Sequence, residues 1–426
     1  MKTPPAVGGL NRPSKTSAME KNMSKSENAY DRILENMRQY PNDIPMKDGR
    51  VSPAFREYIE LLFTPEEAGI AQHLELRPAP SSRLAQKALN RLSQSRFVQS
   101  MMQRKSIRDV ARKTGKSYQE TKVILERLTE NGSIQDIGGY SYFLTMPHLF
   151  NIGFKYSKAL DRLGLKGAEL YRRFFVEEKF YKRYQSSDQG APVTRIVPVG
   201  KSLHHQSEIS NAEEMHGLLD ACREPIVITD CPCRNRMEIL GTRECRDKYP
   251  IRESCFQVGL FGEYFLKRGE GRRLSRDEAH RLVDDFARLG LIFTTENTRD
   301  PNRFVICCCC DCCCALIRGM TRFPEKNEAC SAKANYLARV EADKCKGCGL
   351  CEKRCAFKAI TMNGKVAQVD PDKCYGCGVC AVTCPTGALR LHRYERSVIY
   401  ENGFALMNRD RKSTRLNSSH RIRPRM

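Results

Sequence analysis

The sequence predicts an α+β, multidomain chain: a helical N-terminal module, a small α/β cysteine-rich middle, and a C-terminal unit made from one duplicated motif. Three observations predict it. Helix caps and helix-period apolar residues fill 41–146. Short apolar strand runs and capped helices share the stretch from 195 to 293. The cysteine pattern of 345–355 recurs 29 residues later, at 374–384. At 426 residues the chain is long enough for several cores.

Residues 1–40 are polar, with Pro4-Pro5 and Gly8-Gly9, and read as a disordered tail in which Met19 or Met23 would serve as start. In 41–146, Thr64 caps a helix with Pro65 at its first position and Glu67 at its third. Ser106 is expected to cap a short helix carrying Ile107, Val110 and Ala111, and Thr114-Gly115 to make the turn. Ser117 and Glu120 form a capping box for a helix with the apolar face Thr121, Ile124, Leu125 and Leu128; Asn131-Gly132 ends it. After Gly138-Gly139, Tyr140, Tyr142 and Leu144 alternate as a strand does. Helix, turn, helix and hairpin in this order resemble the winged helix-turn-helix fold. The resemblance implies that Lys116, Gln119 and Lys122 would face DNA, and residues 82–146 carry twelve Lys/Arg against five Asp/Glu. A docking module that keeps the fold is the other reading.

Residues 147–228 form a helical and small α/β connector. Tyr171, Phe174, Phe175, Phe180, Tyr181 and Tyr184 recur near helical spacing and read as core. Arg195–Val199 is a strand, Asn211 with Glu214 caps a helix through Leu218 and Leu219, and Ile226–Ile228 is a second strand. His204-His205 has nothing nearby to complete a metal site and reads as an exposed loop pair.

Residues 229–336 are the cysteine-rich module. Cys231-Pro-Cys233-Arg234, Cys245 and Cys255 amount to one full ligand set. On an extended segment Cys231 and Cys233 face one side, and Arg234, Arg236 and Arg243 would offset an anionic centre. An iron–sulfur cluster, a zinc ion and unliganded thiols are the three readings. Ser275 and Glu278 box a helix that turns Ala279, Leu282, Val283, Phe286 and Leu289 inward and stops at Gly290; Leu291–Phe293 is a strand. Then seven cysteines fall in the eight residues 307–314. Neighbouring side chains diverge on helix or strand, so only subsets reach one centre. Cys307, Cys309, Cys310, Cys312, Cys313 and Cys314 are candidate ligands, alone or shared with the 231–255 set. Cys222 and Cys330 fit no motif and read as packed thiols.

Residues 337–396 carry C-x2-C-x2-C-x3-C twice. Asp343-Lys344 answers Asp372-Lys373, and Gly347 and Gly349 answer Gly376 and Gly378. Each iron corner of a [4Fe–4S] cube takes one thiolate, and three cysteines spaced by two wrap one loop around three corners. Glycines between them permit positive φ and close backbone approach. In two-cluster ferredoxins the fourth cysteine ligates the other cluster. This assigns Cys345, Cys348, Cys351 and Cys384 to one cluster, and Cys374, Cys377, Cys380 and Cys355 to the second. Zinc sites use paired C-x2-C knuckles instead. The stretch resembles a bacterial-type 2[4Fe–4S] ferredoxin domain, departing at Ala356, where that pattern has proline. Asn363-Gly364 signals the hairpin that the resemblance implies.

The whole order, over most of 55–396, looks like multi-motif 4Fe–4S dicluster proteins of anaerobes. Cys308 is the departure, standing where a different residue is expected. The resemblance implies an electron-transfer protein with two [4Fe–4S] clusters, one or two additional iron–sulfur clusters, and redox partner proteins. The alternative is a redox-sensing transcription regulator that binds DNA through the winged helix; a third is an oxidoreductase centred on the cysteine run. With no G-x-G-x-x-G after a strand and no nucleophile–base pair, a component of an oxidoreductase system is expected rather than a stand-alone enzyme.

Twenty-one cysteines without an apolar leader argue for metal in a reducing, cytoplasmic setting rather than disulfides. No run approaches the length of a membrane span. The net charge of +22 overstates the basicity. Asp410–His420 reads as the in-frame translation of a sequencing-library adapter, and removing 410–426, in a tail running 397–426, lowers the charge to +17. Bound clusters are themselves anionic and neutralise the +4 of 341–396.

Overall fold

The computed structural model describes residues 29–38, 44–74, 95–137, 139–142, 157–184, 191–202, 213–301, 303, 305–327 and 330–407. Expectations for 1–28, Gly138, Leu144, His204-His205, Asn211 and 410–426 lie outside them; of the tail expected to be disordered over 1–40, residues 29–38 instead form a helix that buries Ala29, Ile33 and Leu34.

The N-terminal part packs a helix over 29–38 (α1), a ribbon of β1 (Met46–Lys47) and β2 (Arg50–Val51), and helices α2 (Pro53–Leu62), α3 (Pro65–Ala71), α4 (Arg96–Thr114), α5 (Tyr118–Glu130) and α6 (Ser157–Arg172). Thr64 and Glu67 close a reciprocal capping box at α3, with Pro65 in the first turn, as the sequence predicts. Phe174 anchors the core, meeting Phe55 and Tyr58 edge-on with ring centroids 5.2 and 5.6 Å away. Ser106 does not cap a helix. It lies inside α4 and donates to the Met102 carbonyl at 3.1 Å, because no breaker interrupts the helix-forming run from Arg96. Gly115, at φ +69°, ends α4, and the Ser117–Glu120 box starts α5. A bridge between Gln135 and Ser141 then closes a tight turn over the buried Tyr140 and Tyr142.

The middle is a seven-stranded sheet in the order β6-β4-β5-β8-β7-β3-β9. The strands are β3 (Thr194–Val197), β4 (Ile226–Thr229), β5 (Cys255–Val258), β6 (Arg272–Leu274), β7 (Ile292–Glu296), β8 (Val305–Cys309) and β9 (Ser331–Ala332). Only the β3–β9 pair is parallel. Helices α7 (Met215–Ala221), α8 (Pro232–Ile239), α9 (Leu260–Lys267), α10 (Arg276–Leu289) and α11 (Ala315–Thr321) accompany it. Strand alternation gives the sheet two buried faces. One carries Ile228, Phe256, Phe293, Ile306 and Cys308 against α7 and α10. The other carries Cys307 and Cys309 beside Ile196, Ile292 and α11.

Several expectations shift. Glu214 caps α7, accepting from Gly217 N at 3.0 Å, while Asn211 lies outside the described residues. The box at Ser275 is one-sided, because the Glu278 carboxylate turns to Arg272 at 2.7 Å. Leu289 at the end of α10 is exposed. Cys231-Pro-Cys233 is not extended: Cys231 is the N-cap of α8 and Pro232 its first residue, the position where a fixed φ and a missing N–H cost nothing.

At the C-terminus β10 (Tyr336–Val340) pairs antiparallel with β13 (Leu389–Arg393). β11 (Ile360–Asn363) and β12 (Val366–Val369) form the expected hairpin, with Asn363 paired to Val366 so that Gly364-Lys365 makes the loop. Helices α12 (Leu350–Arg354) and α13 (Val379–Val382) start from the left-handed glycines Gly349 and Gly378. The duplication is structural as well, since Lys344 pairs with Glu341 as Lys373 pairs with Asp370.

Candidate iron–sulfur and metal centres

Cys345, Cys348, Cys351 and Cys384 line one small cavity together with Gly349, Met362 and Pro385. Cys355 reaches over to the second loop, where Cys374, Cys377 and Cys380 lie within electrostatic range of it. Gly376 shows why glycine stands there: a Cβ would sit 2.3 Å from the Tyr336 carbonyl oxygen. Cys348 is exposed and Cys380 is buried. Burial pushes the Cys377 thiol up to about 12, and the neighbouring Cys355 and Cys374 reinforce the shift. Such thiols become thiolates when a cation holds them.

The upstream cysteines sort differently from the fourfold set that the sequence suggested. Register aligns Thr229, Cys255, Cys307 and Thr294 across β4, β5, β8 and β7, so their side chains share a face. On that face Cys255 hydrogen-bonds Cys307, and Cys309 lies 3.2 Å from Cys314, the N-cap of α11. Cys231 and Cys233 hydrogen-bond each other at the start of α8, with Cys231 in range of Cys255. These six thiols form one array. Cys245 is not part of it. It sits with Cys310, Cys312 and Cys313, all four Sγ atoms within 4.8 Å of one another and all buried. Cys308 points to the opposite face with Ile306. Cys222 and Cys330 are buried packing thiols.

Arg234 is fully buried. Its guanidinium donates to the Cys308 carbonyl at 3.1 Å and to Ser254 Oγ at 2.7 Å, and approaches Cys310 Sγ at 3.9 Å. Burial disfavours its charge, yet Cys231 and Cys310 more than compensate and raise its pKa. Arg236 lies over the Tyr171 ring at 3.6 Å, with Cys233 in electrostatic range. The sequence marked both arginines. It did not mark Phe357 and Tyr375, stacked at 4.2 Å, which join the second ferredoxin-type set to the six-thiol face.

Residues 344–388 match the 4Fe–4S dicluster domain family. The match covers the duplicated motif and leaves the rest of the chain outside it. No curated protein and no solved structure matches the chain. The molecule is thus a mixed α+β chain with a 4Fe–4S dicluster domain near its C-terminus, many further cysteines and, among the described residues, no helix long and apolar enough to cross a membrane.

Proposed function

We propose that this chain relays single electrons between redox proteins through two ferredoxin-type [4Fe–4S] clusters and a further iron–sulfur centre on the sheet. One observation carries the reading. The second cysteine set of the dicluster domain packs directly on the six-thiol face: Tyr375, Val379 and Cys377 share a core cluster with Cys307, Cys309, Cys314 and Ile292. Clusters held at these sets would supply one-electron redox chemistry.

The chain's residues set the order. Cys345, Cys348, Cys351 and Cys384 would hold the outer cluster, with Cys348 at the surface where a partner docks. Cys355, Cys374, Cys377 and Cys380 would hold the inner one. Cys231, Cys233, Cys255, Cys307, Cys309 and Cys314 would hold the sheet centre, with more thiols than one ion can use. Apolar packing by Ile196, Leu316, Ile317 and Met320 keeps water from that face. The setting proposed is the cytoplasm of an anaerobe. The test is iron, sulfide and electron paramagnetic resonance on the anaerobically prepared full chain. More than eight irons are expected, about four for each of two cubes plus the sheet centre. Cys255→Ser should remove the excess alone. Eight irons in both proteins would refute the third centre.

A second reading, a redox-sensing regulator, draws on the α4–turn–α5–hairpin order of a winged helix and on the exposed Gln119 and Val123 of α5. Against it, Lys116 and Lys122 are only half-exposed, and Lys122 lies 3.8 Å from Glu126. Salt-dependent DNA binding that changes on cluster oxidation would favour this reading.

A further inference from the structure

We infer that Cys245, Cys310, Cys312 and Cys313 form a structural zinc site, separate from the electron-carrying centres. The argument is one of spacing. Zinc–thiolate bonds of about 2.3 Å at tetrahedral angles hold the sulfurs about 3.8 Å apart. Here Cys245 and Cys313 are 3.6 Å apart, Cys312 and Cys313 3.5 Å, and all four lie within 4.8 Å of one another. A cube needs the opposite. Its four thiolates stand on four separate iron corners, which spreads them well beyond contact. The chain contains its own comparison: the eight cysteines of the dicluster domain are all described, and no three of them approach so closely.

The surroundings fit a closed site. The four residues are between 3 and 6% exposed, which leaves no open position for substrate or water, the mark of a structural rather than a catalytic zinc. Four thiolates on one divalent cation remain anionic, and Arg234 stands 3.9 Å from Cys310 Sγ to offset that charge. The topology also fits. Cys245 lies on the loop between α8 and β5, while Cys310–Cys313 lie on the turn where the chain leaves β8. An ion there ties that loop to the sheet, beside the thiols at the start of α8 and at the end of β8. Cys313 and Cys314, adjacent in sequence, then serve different centres.

The experiment uses full-length protein purified anaerobically, with zinc, iron and sulfide measured on one sample and zinc examined by X-ray absorption. About one zinc per chain is expected, with four sulfur neighbours at about 2.3 Å. The double variant Cys312→Ser, Cys313→Ser should lower zinc roughly tenfold or more while the resonance signals of the dicluster domain persist. Cys348→Ser should lower iron and leave zinc in place. Wild-type protein without zinc, zinc with fewer than four sulfur neighbours, or a double variant that loses iron and sulfide instead would overturn the assignment. If the double variant fails to fold, the absorption spectrum of the wild-type protein decides alone. The iron count of the other centres, read from the same sample, tests the electron-transfer reading separately.

Discussion

Glu213 clasps the dicluster domain to the sheet, and its replacement should release one from the other. The carboxylate is 1% exposed. It meets Arg195 on β3 at 3.2 Å, Arg393 on β13 at 2.6 Å and Asn335 at 2.8 Å. Burial pulls the Arg195 guanidinium down to about 10, although Glu213 supports its charge. Burial also works against the Glu213 anion, but Arg195, Asn335 and Arg393 together hold its carboxyl below the usual range. Glu213→Leu leaves the Arg195 charge buried and unpaired, a loss of about 3–5 kcal/mol. If that falls on docking, amide exchange across β10 and β13 should accelerate by about two to four orders of magnitude. Glu213→Gln keeps an acceptor for Asn335 and should lie between. Because the folded carboxyl value is depressed, the clasp contributes fully above the ordinary glutamate value of 4.5 and is lost as pH falls through the folded value. Hydrogen exchange followed by mass spectrometry reads this directly, and unchanged exchange in Glu213→Leu would sink the idea.

Three further outcomes follow from the sites. Gly349→Ala should cost only the left-handed strain of about 1–2 kcal/mol, since nothing lies within 4 Å of its Cβ position, whereas Gly376→Ala collides with the Tyr336 carbonyl and should also lose iron; equal iron content in the two variants would contradict the close-approach argument. Removing iron with a chelator should abolish exchange protection over 336–396, because the unit is too small to fold around eight emptied thiol positions; persistent protection would show that clusters are not needed for its fold. Burial keeps thiols such as Cys377 protonated when no cation holds them, so cluster loss takes up protons, and iron retention against a chelator should be poorer at pH 6 than at pH 8; the reverse order would be inconsistent with thiolate ligation.

What the sequence disclosed was local. The duplicated loops could be read because three ligands, two glycines and an Asp-Lys pair repeat within a dozen residues, and the lysine of each pair reaches the acid three residues before it. The capping boxes at Thr64 and Ser117 span three residues and were equally legible. Grouping the upstream cysteines was not local. Cys255 meets Cys307 because of the β5–β8 register, and that pairing joins positions 52 residues apart. Cys245 leaves the set for the same reason, since the turn after β8 approaches its loop. The helix at Cys231 was within reach, because Pro232 marks a first helical position. Glu213 had no sequence signal, its partners being spread from Arg195 to Arg393.

Seven cysteines in eight residues become usable because the chain changes conformation within the run. While it is strand, alternation sends Cys307 and Cys309 to the face of the dicluster domain and Cys308 to the other. Where the strand ends, Cys310, Cys312 and Cys313 turn toward Cys245, and Cys314, capping α11, returns to within 3.2 Å of Cys309. Cys308 is thereby left as a packing residue among Ile306 and Phe293, its carbonyl accepting a hydrogen bond from Arg234. Cys308→Ala should then cost about 1 kcal/mol for the small cavity and change neither iron, sulfide nor zinc content. Cys309→Ala, one residue along and of the same size, should remove iron of the sheet centre while zinc and the dicluster signals remain. The two variants remove the same atoms from equally buried positions, so packing alone predicts the same result for both. Metal analysis that fails to separate them would refute the sorting of this run by strand alternation.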